Sequence, residues 1–270
     1  MINESRPQFG AGVRGHMRFV IAVAAAAIAI GLASPPAAFA QSNYNGGYLG
    51  LTTGYGWGTS TQLGNAPAPP SGPTLYLCPG FPPFYVTDPA DCLTDAKFRT
   101  KGGLVGGALG WNVQYGAWVF GIEGDYSYAA VNGDSSSCGT APHACGTGLD
   151  SLGTVRGRVG TLFNDWLVYA TGGWAFGRVS GFDVVKSSGD AMYNGWTVGG
   201  GVEKRFAPQW SLKLEYLYTD LGSKDLFQAQ VPGYPEHVSY KLNTLRIGIN
   251  YFFEPAASPR PIITKGPSLK

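Results

Sequence analysis

Nine ionisable side chains stand at positions whose spacing gives them a common direction. Glu123 and Asp125 are two residues apart, as are Arg156 and Arg158, Glu203 and Arg205, and Lys213 and Glu215, with Arg246 further along. In an extended strand residues i and i+2 share a face, so each pair points one way. The chemistry open to such a set is electrostatic. If the segments carrying the first two pairs are hairpin neighbours, Glu123 and Asp125 face Arg156 and Arg158, and Glu203 and Arg205 meet Lys213 and Glu215 in the same way. In an interior short of water these charges must pair, because an isolated ion there is expensive. The expected reading is salt bridges that hold the interior of a structural, surface-presenting envelope protein largely shut; a charged lining that selects ions or small solutes is the alternative.

Covalent and metal chemistry find less support. After position 40, histidine occurs only as His143 and His237. His237 with Ser239 and Glu236 is the one imaginable hydrolytic constellation, of a kind that could process lipids. Adjacency in sequence is not a triad geometry, however, and a solvated loop histidine is the simpler reading. The many Gly-x-Gly runs lie in strand-like segments with no helix after them, so no nucleotide cofactor, and no other cofactor, is expected. The cysteines fall as Cys78 with Cys92 and Cys138 with Cys145, each pair inside a loop-like segment. An even number suits an oxidising compartment, and pairing within each loop is the expected connectivity. Cys138, His143 and Cys145 as metal ligands is the alternative. The paired spacings of four-ligand zinc sites are missing, so no metal site is assigned.

The elements that must position the charges are strands. From Trp118 to Tyr128 the chain alternates: Trp118, Phe120, Ile122, Tyr126 and Tyr128 on one side, Gly121, Glu123, Asp125 and Ser127 on the other. Aromatic and aliphatic residues outside with small or charged residues inside is the pattern of a strand between lipid and a polar lumen. Seven further segments read alike: 47–57, 101–115, 152–163, 166–177, 195–206, 210–220 and 238–253. Their connections alternate in length. Gly116-Ala117, Asn164-Asp165 and Ala207-Pro208-Gln209 are tight turns. The stretches 59–98 and 131–151, and those ending near Asn194 and Val238, are long loops. The fold class that follows is all-β, an eight-stranded antiparallel up-and-down transmembrane β-barrel, with short periplasmic turns and long outer loops. Unpaired backbone cannot be left in lipid, so the first strand must close on the last. A soluble barrel or sandwich, the alternative, would keep its apolar side inward.

Composition and address agree. Of 270 residues 41 are glycine, aromatic residues reach 13% and charged residues only 13%, with a formal net charge of +2. No basic run favours nucleic acid. Arg14 and Arg18 flank an apolar run from Phe19 to Leu32, and Ala38-Phe39-Ala40 offers a cleavage site, so residues 1–40 read as a secretory signal, with Met17 a possible start. The barrel is expected over 41–253 and a Pro-rich periplasmic tail over 254–270.

Several stretches carry a family resemblance. They are Gly46-Gly47-Tyr48-Leu49-Gly50, Gly54-Tyr55-Gly56-Trp57, Trp118 to Asp125, Gly153 to Gly160, Tyr169 to Gly173, Gly195 to Glu203 and Leu214 to Tyr218. Together they resemble the small outer-membrane immunogenic-type proteins of alphaproteobacteria, porin-family relatives of the OmpA-like barrel. The resemblance implies a monomer in the outer membrane of a Gram-negative bacterium, in contact with lipid and lipopolysaccharide and delivered by the barrel-assembly machinery. It implies no enzyme; the outer loops would serve extracellular contacts. Such proteins commonly end on the aromatic residue of the last strand, whereas here Tyr251-Phe252-Phe253 precedes the tail.

Overall fold

The computed structural model describes residues 43–64, 76–78, 84–86, 96–138, 143–163, 165–182, 188–225 and 236–253. The signal and tail segments therefore lie outside the described residues. Eight long strands close into one antiparallel barrel: β1 (Gly46–Gly64), β4 (Ala96–Tyr115), β5 (Trp118–Cys138), β6 (His143–Phe163), β7 (Trp166–Phe182), β8 (Ser188–Ala207), β9 (Trp210–Asp225) and β10 (Glu236–Phe252). A two-stranded hairpin, β2 (Tyr76–Cys78) with β3 (Phe84–Val86), lies within the first long connection. Each long strand pairs with its sequence neighbour. Closure comes from β1 against β10, in continuous register from Tyr48 opposite Phe252 to Gly64 opposite Glu236. The tight turns use left-handed backbone, at Gly116 (φ 59°) and Asp165 (φ 66°). Glycine enters that region freely, and aspartate is among the few side chains that tolerate it.

The strands overrun their expected ends. They hold 16 to 21 residues, whereas roughly 9–11 suffice to cross a bilayer at a tilt. The surplus is on the side of the long connections. The expected loop 131–151 is mostly strand, since β5 continues to Cys138 and β6 starts at His143. The expected loop 59–98 is shortened at both ends by β1 and β4 and interrupted by the small hairpin. His143 and His237, expected in loops, lie in β6 and β10. Backbone pairing, once closed around the barrel, simply continues into water. Register shifts at Tyr128/Val131 on β5 and Leu149/Ser151 on β6 mark the passage.

Side-chain polarity inverts at the same level. Lower down, Leu51, Ile122, Leu109 and Val155 point outward and are exposed, while Glu123, Asp125 and Arg156 are buried inside. Further out, the outward positions are Lys97, Arg99, Lys101, Asn132, Arg178 and Lys241. The inward ones there are Phe98, Val131, Leu149, Val179, Tyr240 and Leu242, all buried. The inner half is thus built for lipid and the outer half is a water-soluble barrel with an apolar core. Aromatic rings ring both edges of the lipid-facing band. Trp210 and Tyr251 stack edge-on at 5.1 Å near the short turns, and Trp196 and Tyr218 meet at 5.5 Å toward the long connections. Such girdles sit at the headgroups.

Candidate functional site

The inward faces of β5, β6, β8, β9 and β10 bring eight of the nine expected charges together in the lumen. Glu123 is the hub. Its carboxylate meets Arg156 Nη2 at 2.5 Å, Lys213 Nζ at 2.8 and 2.9 Å and Arg158 Nη1 at 3.7 Å, and accepts from Tyr48 Oη at 2.6 Å. Asp125 takes Arg246 Nη1 at 2.8 Å and Arg156 Nη2 at 3.0 Å, and accepts a short hydrogen bond from Thr154 Oγ1. Arg156 Nη1 reaches Glu215 at 3.0 Å, and Arg158 Nη2 reaches Glu203 at 3.1 Å. Four carboxylates (Glu123, Asp125, Glu203, Glu215) stand against four cations (Arg156, Arg158, Lys213, Arg246), all buried, so the cluster is formally neutral.

The pairing differs from the expected one in a specific way. Lys213 and Glu215 were expected opposite Glu203 and Arg205 on the neighbouring strand. Although Lys213 stands in register with Glu203, its ammonium crosses the lumen to Glu123 on β5, and Glu215 likewise serves Arg156 on β6. An eight-stranded lumen is narrow enough for long side chains to reach the far wall, and Glu203 is already engaged by Arg158, Ser211 and Asn250. Arg205 lies apart, at the short-turn end. Its Nη1 donates to the Pro208 carbonyl at 2.7 Å and its guanidinium covers the Phe252 ring at 4.0 Å.

Neutral side chains hold the cluster in shape. Arg158 is clamped between Tyr48 and Tyr169, each ring centroid 5.1 Å away, and its Nε donates to Asn112 Oδ1 at 2.9 Å. Tyr169 Oη donates to Glu215 at 3.0 Å, and Asn250 Nδ2 and Ser211 Oγ donate to Glu203 at 2.8 and 2.5 Å. Charge alone pointed to none of the two tyrosines, Ser211, Thr154 or Asn250. Parity would have found them, since each shares the inward phase of its strand.

Glycines make the room. A Cβ at Gly110 would lie 2.3 Å from the Tyr48 ring, and one at Gly201 would lie 2.7 Å from Tyr169 Oη. Gly110→Val is therefore expected to lower stability by about 1–3 kcal/mol through overpacking. Gly157→Val, whose Cβ meets nothing within 4 Å, should leave stability unchanged. Thermal unfolding of both variants in detergent checks this, and equal behaviour would contradict the steric role of Gly110.

Apolar layers close off the cluster on both sides. Toward the short turns Tyr44, Tyr48, Val119, Leu167, Tyr169 and Phe252 form one, and in the outer half Leu104, Val131, Leu149, Leu152, Leu221 and Leu242 belong to another. The expected polar lumen is thus confined to a middle layer, because the soluble outer half needs an apolar interior.

The remaining sequence candidates lie elsewhere. His237 is half-exposed on the outer face of β10, where its Nδ1 contacts Asp225. Among the described residues no hydrogen bond joins it to Ser239, and of Glu236 only the backbone is described. Cys145 is buried, Cys92 lies outside the described residues, and of Cys78, Cys138 and His143 only the backbone is described. No group of three potential metal ligands converges among the described residues.

Comparison with known proteins gives this architecture a family. Residues 23–253 match the model of the outer membrane protein beta-barrel domain. The chain is 30% identical over 251 residues to the 31 kDa outer-membrane immunogenic protein of Brucella melitensis biotype 1, covering 87% of this chain and 95% of that one. It is 28% identical over 221 residues to the 25 kDa outer-membrane immunogenic protein of Brucella abortus biovar 1, covering 79% and 81%. Among solved structures, the outer membrane protein OprG of Pseudomonas aeruginosa is similar at a TM-score of 0.45 and 11% identity, over 80% of this chain and 100% of that one. The chain belongs to the outer membrane protein β-barrel domain family, and its place is the outer membrane.

Proposed function

We propose that the protein is a monomeric structural and surface-presentation barrel whose lumen is closed. The observation that carries this reading is the match of four buried carboxylates to four buried cations between two apolar layers. A pore lining that selects ions presents excess charge of one sign to hydrated ions. A neutral, mutually paired set instead spends its charge on itself, and an eight-stranded barrel has only enough interior for its own side chains. On this reading function resides outside the membrane. The outer half holds the long connections clear of the lipid for extracellular contacts. Disulfides Cys78–Cys92 and Cys138–Cys145 stiffen them. Residues 1–40 direct export, the barrel-assembly machinery inserts the chain, and residues 254–270 extend into the periplasm. No catalytic residue is assigned.

Single-channel recording of the refolded barrel in a planar bilayer tests this. The wild type is expected to be silent, and an Arg156→Gln/Arg158→Gln variant noisy or open. Steady ion-selective steps from the wild type, altered by those substitutions, would instead make it a narrow channel for ions or small solutes.

A further inference from the structure

The outer half carries one basic stripe. Lys97, Arg99 and Lys101 alternate along β4, all facing outward and exposed. Alternate residues of a strand stand roughly 6.5–7 Å apart, so the three cations rise as an evenly spaced column. None is joined to a carboxylate by an ion pair among the described residues. The register fixes the height of the column. Lys101 is opposite Trp57 on β1, Arg99 opposite Thr59 and Lys97 opposite Thr61. Trp57 belongs to the outer aromatic girdle, its ring 6.3 Å from Tyr216. The column thus starts at the headgroup level and climbs away from the hydrocarbon. Across β1, Thr59 is also opposite Lys241 of β10, which pairs with Asp220 at 3.4 Å. Thr59 therefore lies between Arg99 and a fourth cation, and Thr61 lies between Lys97 and Ser239.

The rest of this zone carries mixed, largely paired charge. Arg178 on β7 is tied to Asp190 on β8 at 3.7 Å and Lys241 on β10 to Asp220 on β9 at 3.4 Å. Among the described residues one carboxylate, Asp134 on β5, borders the column, and three cations less that carboxylate leave an excess of two positive charges.

We propose that this column, with Thr59, Thr61 and Lys241, binds the phosphate groups of a phosphorylated glycolipid in the outer leaflet. The argument is one of complementarity and depth. Ammonium and guanidinium groups bind phosphate oxygens through charge-assisted hydrogen bonds, and hydroxyls can add further donors. The acyl chains of such a lipid would lie along the apolar face below, over Tyr55 and Val105, which are exposed there. The contact follows from the outer-membrane location and is independent of whether the lumen conducts.

The test is binding of lipid A by the full barrel in phosphatidylcholine nanodiscs, counted by native mass spectrometry. Its arms are phosphorylated lipid A, dephosphorylated lipid A, and phosphorylated lipid A with competing inorganic phosphate. Near a charged surface each cation contributes about a factor of five. The triple variant K97Q/R99Q/K101Q is therefore expected to bind phosphorylated lipid A roughly 100-fold more weakly. Arg178→Gln, on β7 away from the column, should bind like the wild type. Unboiled gel mobility confirms that each variant is folded; should the triple variant fail to fold, the single K101Q and R99Q variants replace it, each expected to lose about fivefold. Retained affinity in the charge variants, an equal loss in Arg178→Gln, or no preference for the phosphorylated lipid would overturn the proposal. Equal competition by free phosphate would overturn the glycolipid assignment.

Discussion

Replacing Glu123 by alanine is expected to destabilise the barrel by about 3–5 kcal/mol, because removing one partner of a buried ion pair strands the others. Here Lys213 loses its one ion-pair partner among the described residues. Arg156 and, more distantly, Arg158 each lose one carboxylate, Arg156 keeping Asp125 and Glu215 and Arg158 keeping Glu203. Tyr48 also loses its acceptor. Removing Lys213 together with the charge of Glu123, as in E123Q/K213M, should recover part of the loss, and a double-mutant cycle would give the coupling directly. Asp190→Asn provides the contrast. It breaks a solvated pair with Arg178 at 3.7 Å, and such pairs are worth about 0–1 kcal/mol. Urea unfolding in lipid vesicles, followed by the mobility of unboiled samples on gels, separates these outcomes. A Glu123→Ala barrel as stable as the wild type would mean that water enters the lumen freely and solvates Lys213.

A second large effect concerns the outside of the same strand. Ile122→Arg places a guanidinium on the lipid-facing band, where Ile122 is 67% exposed, and is expected to cost about 2–4 kcal/mol. Asn132→Arg, ten residues further along β5 and also outward, lies where the barrel has left the hydrocarbon and should cost about 0–1 kcal/mol. The pair of variants locates the bilayer against the strand. Equal costs at both positions would contradict the polarity inversion, and a larger cost at Asn132 would place the membrane at the wrong end. The same urea titration reads both.

The membrane-spanning half was legible in the sequence because lipid leaves a simple record. Outward positions such as Leu49, Leu51, Trp111 and Trp118 must be apolar, inward ones need not be, and a period of two results. The strand ends were not legible for the same reason. Beyond the lipid the outward face becomes polar, as at Lys97, Asn132 and Arg178, and a polar stretch reads as loop. The signal was there in the other phase: Phe98, Val131, Leu149, Val179 and Tyr240 alternate with those polar residues, as in any soluble strand. For the lumen, the charges themselves could be picked out by their phase, but not all of their partners. Hairpin adjacency matched Glu123 with Arg156 and Asp125 with Arg156, which the register places close together. It failed for Lys213, because a reach across a narrow lumen depends on side-chain length and on which carboxylates are already taken. It failed for Arg205 because position along the axis matters as much as phase, and that residue lies beside the closing turn. Tyr48 and Tyr169 look like girdle residues by type, and only their phase turns them inward.

The change of polarity along the barrel wall acts as a waterline. Were the barrel to ride deeper by one residue pair, Lys101 and Asn132 would be drawn toward oil and Leu49 and Trp118 pushed toward the periplasm; were it to ride higher, Trp57 and Tyr128 would be lifted out of the oil. Either displacement meets a restoring force shared among all eight strands, so the barrel fixes its own draught without help from a neighbour. A hull so trimmed leaves adjustment to the lipid, which must thicken or thin around it where its own span differs.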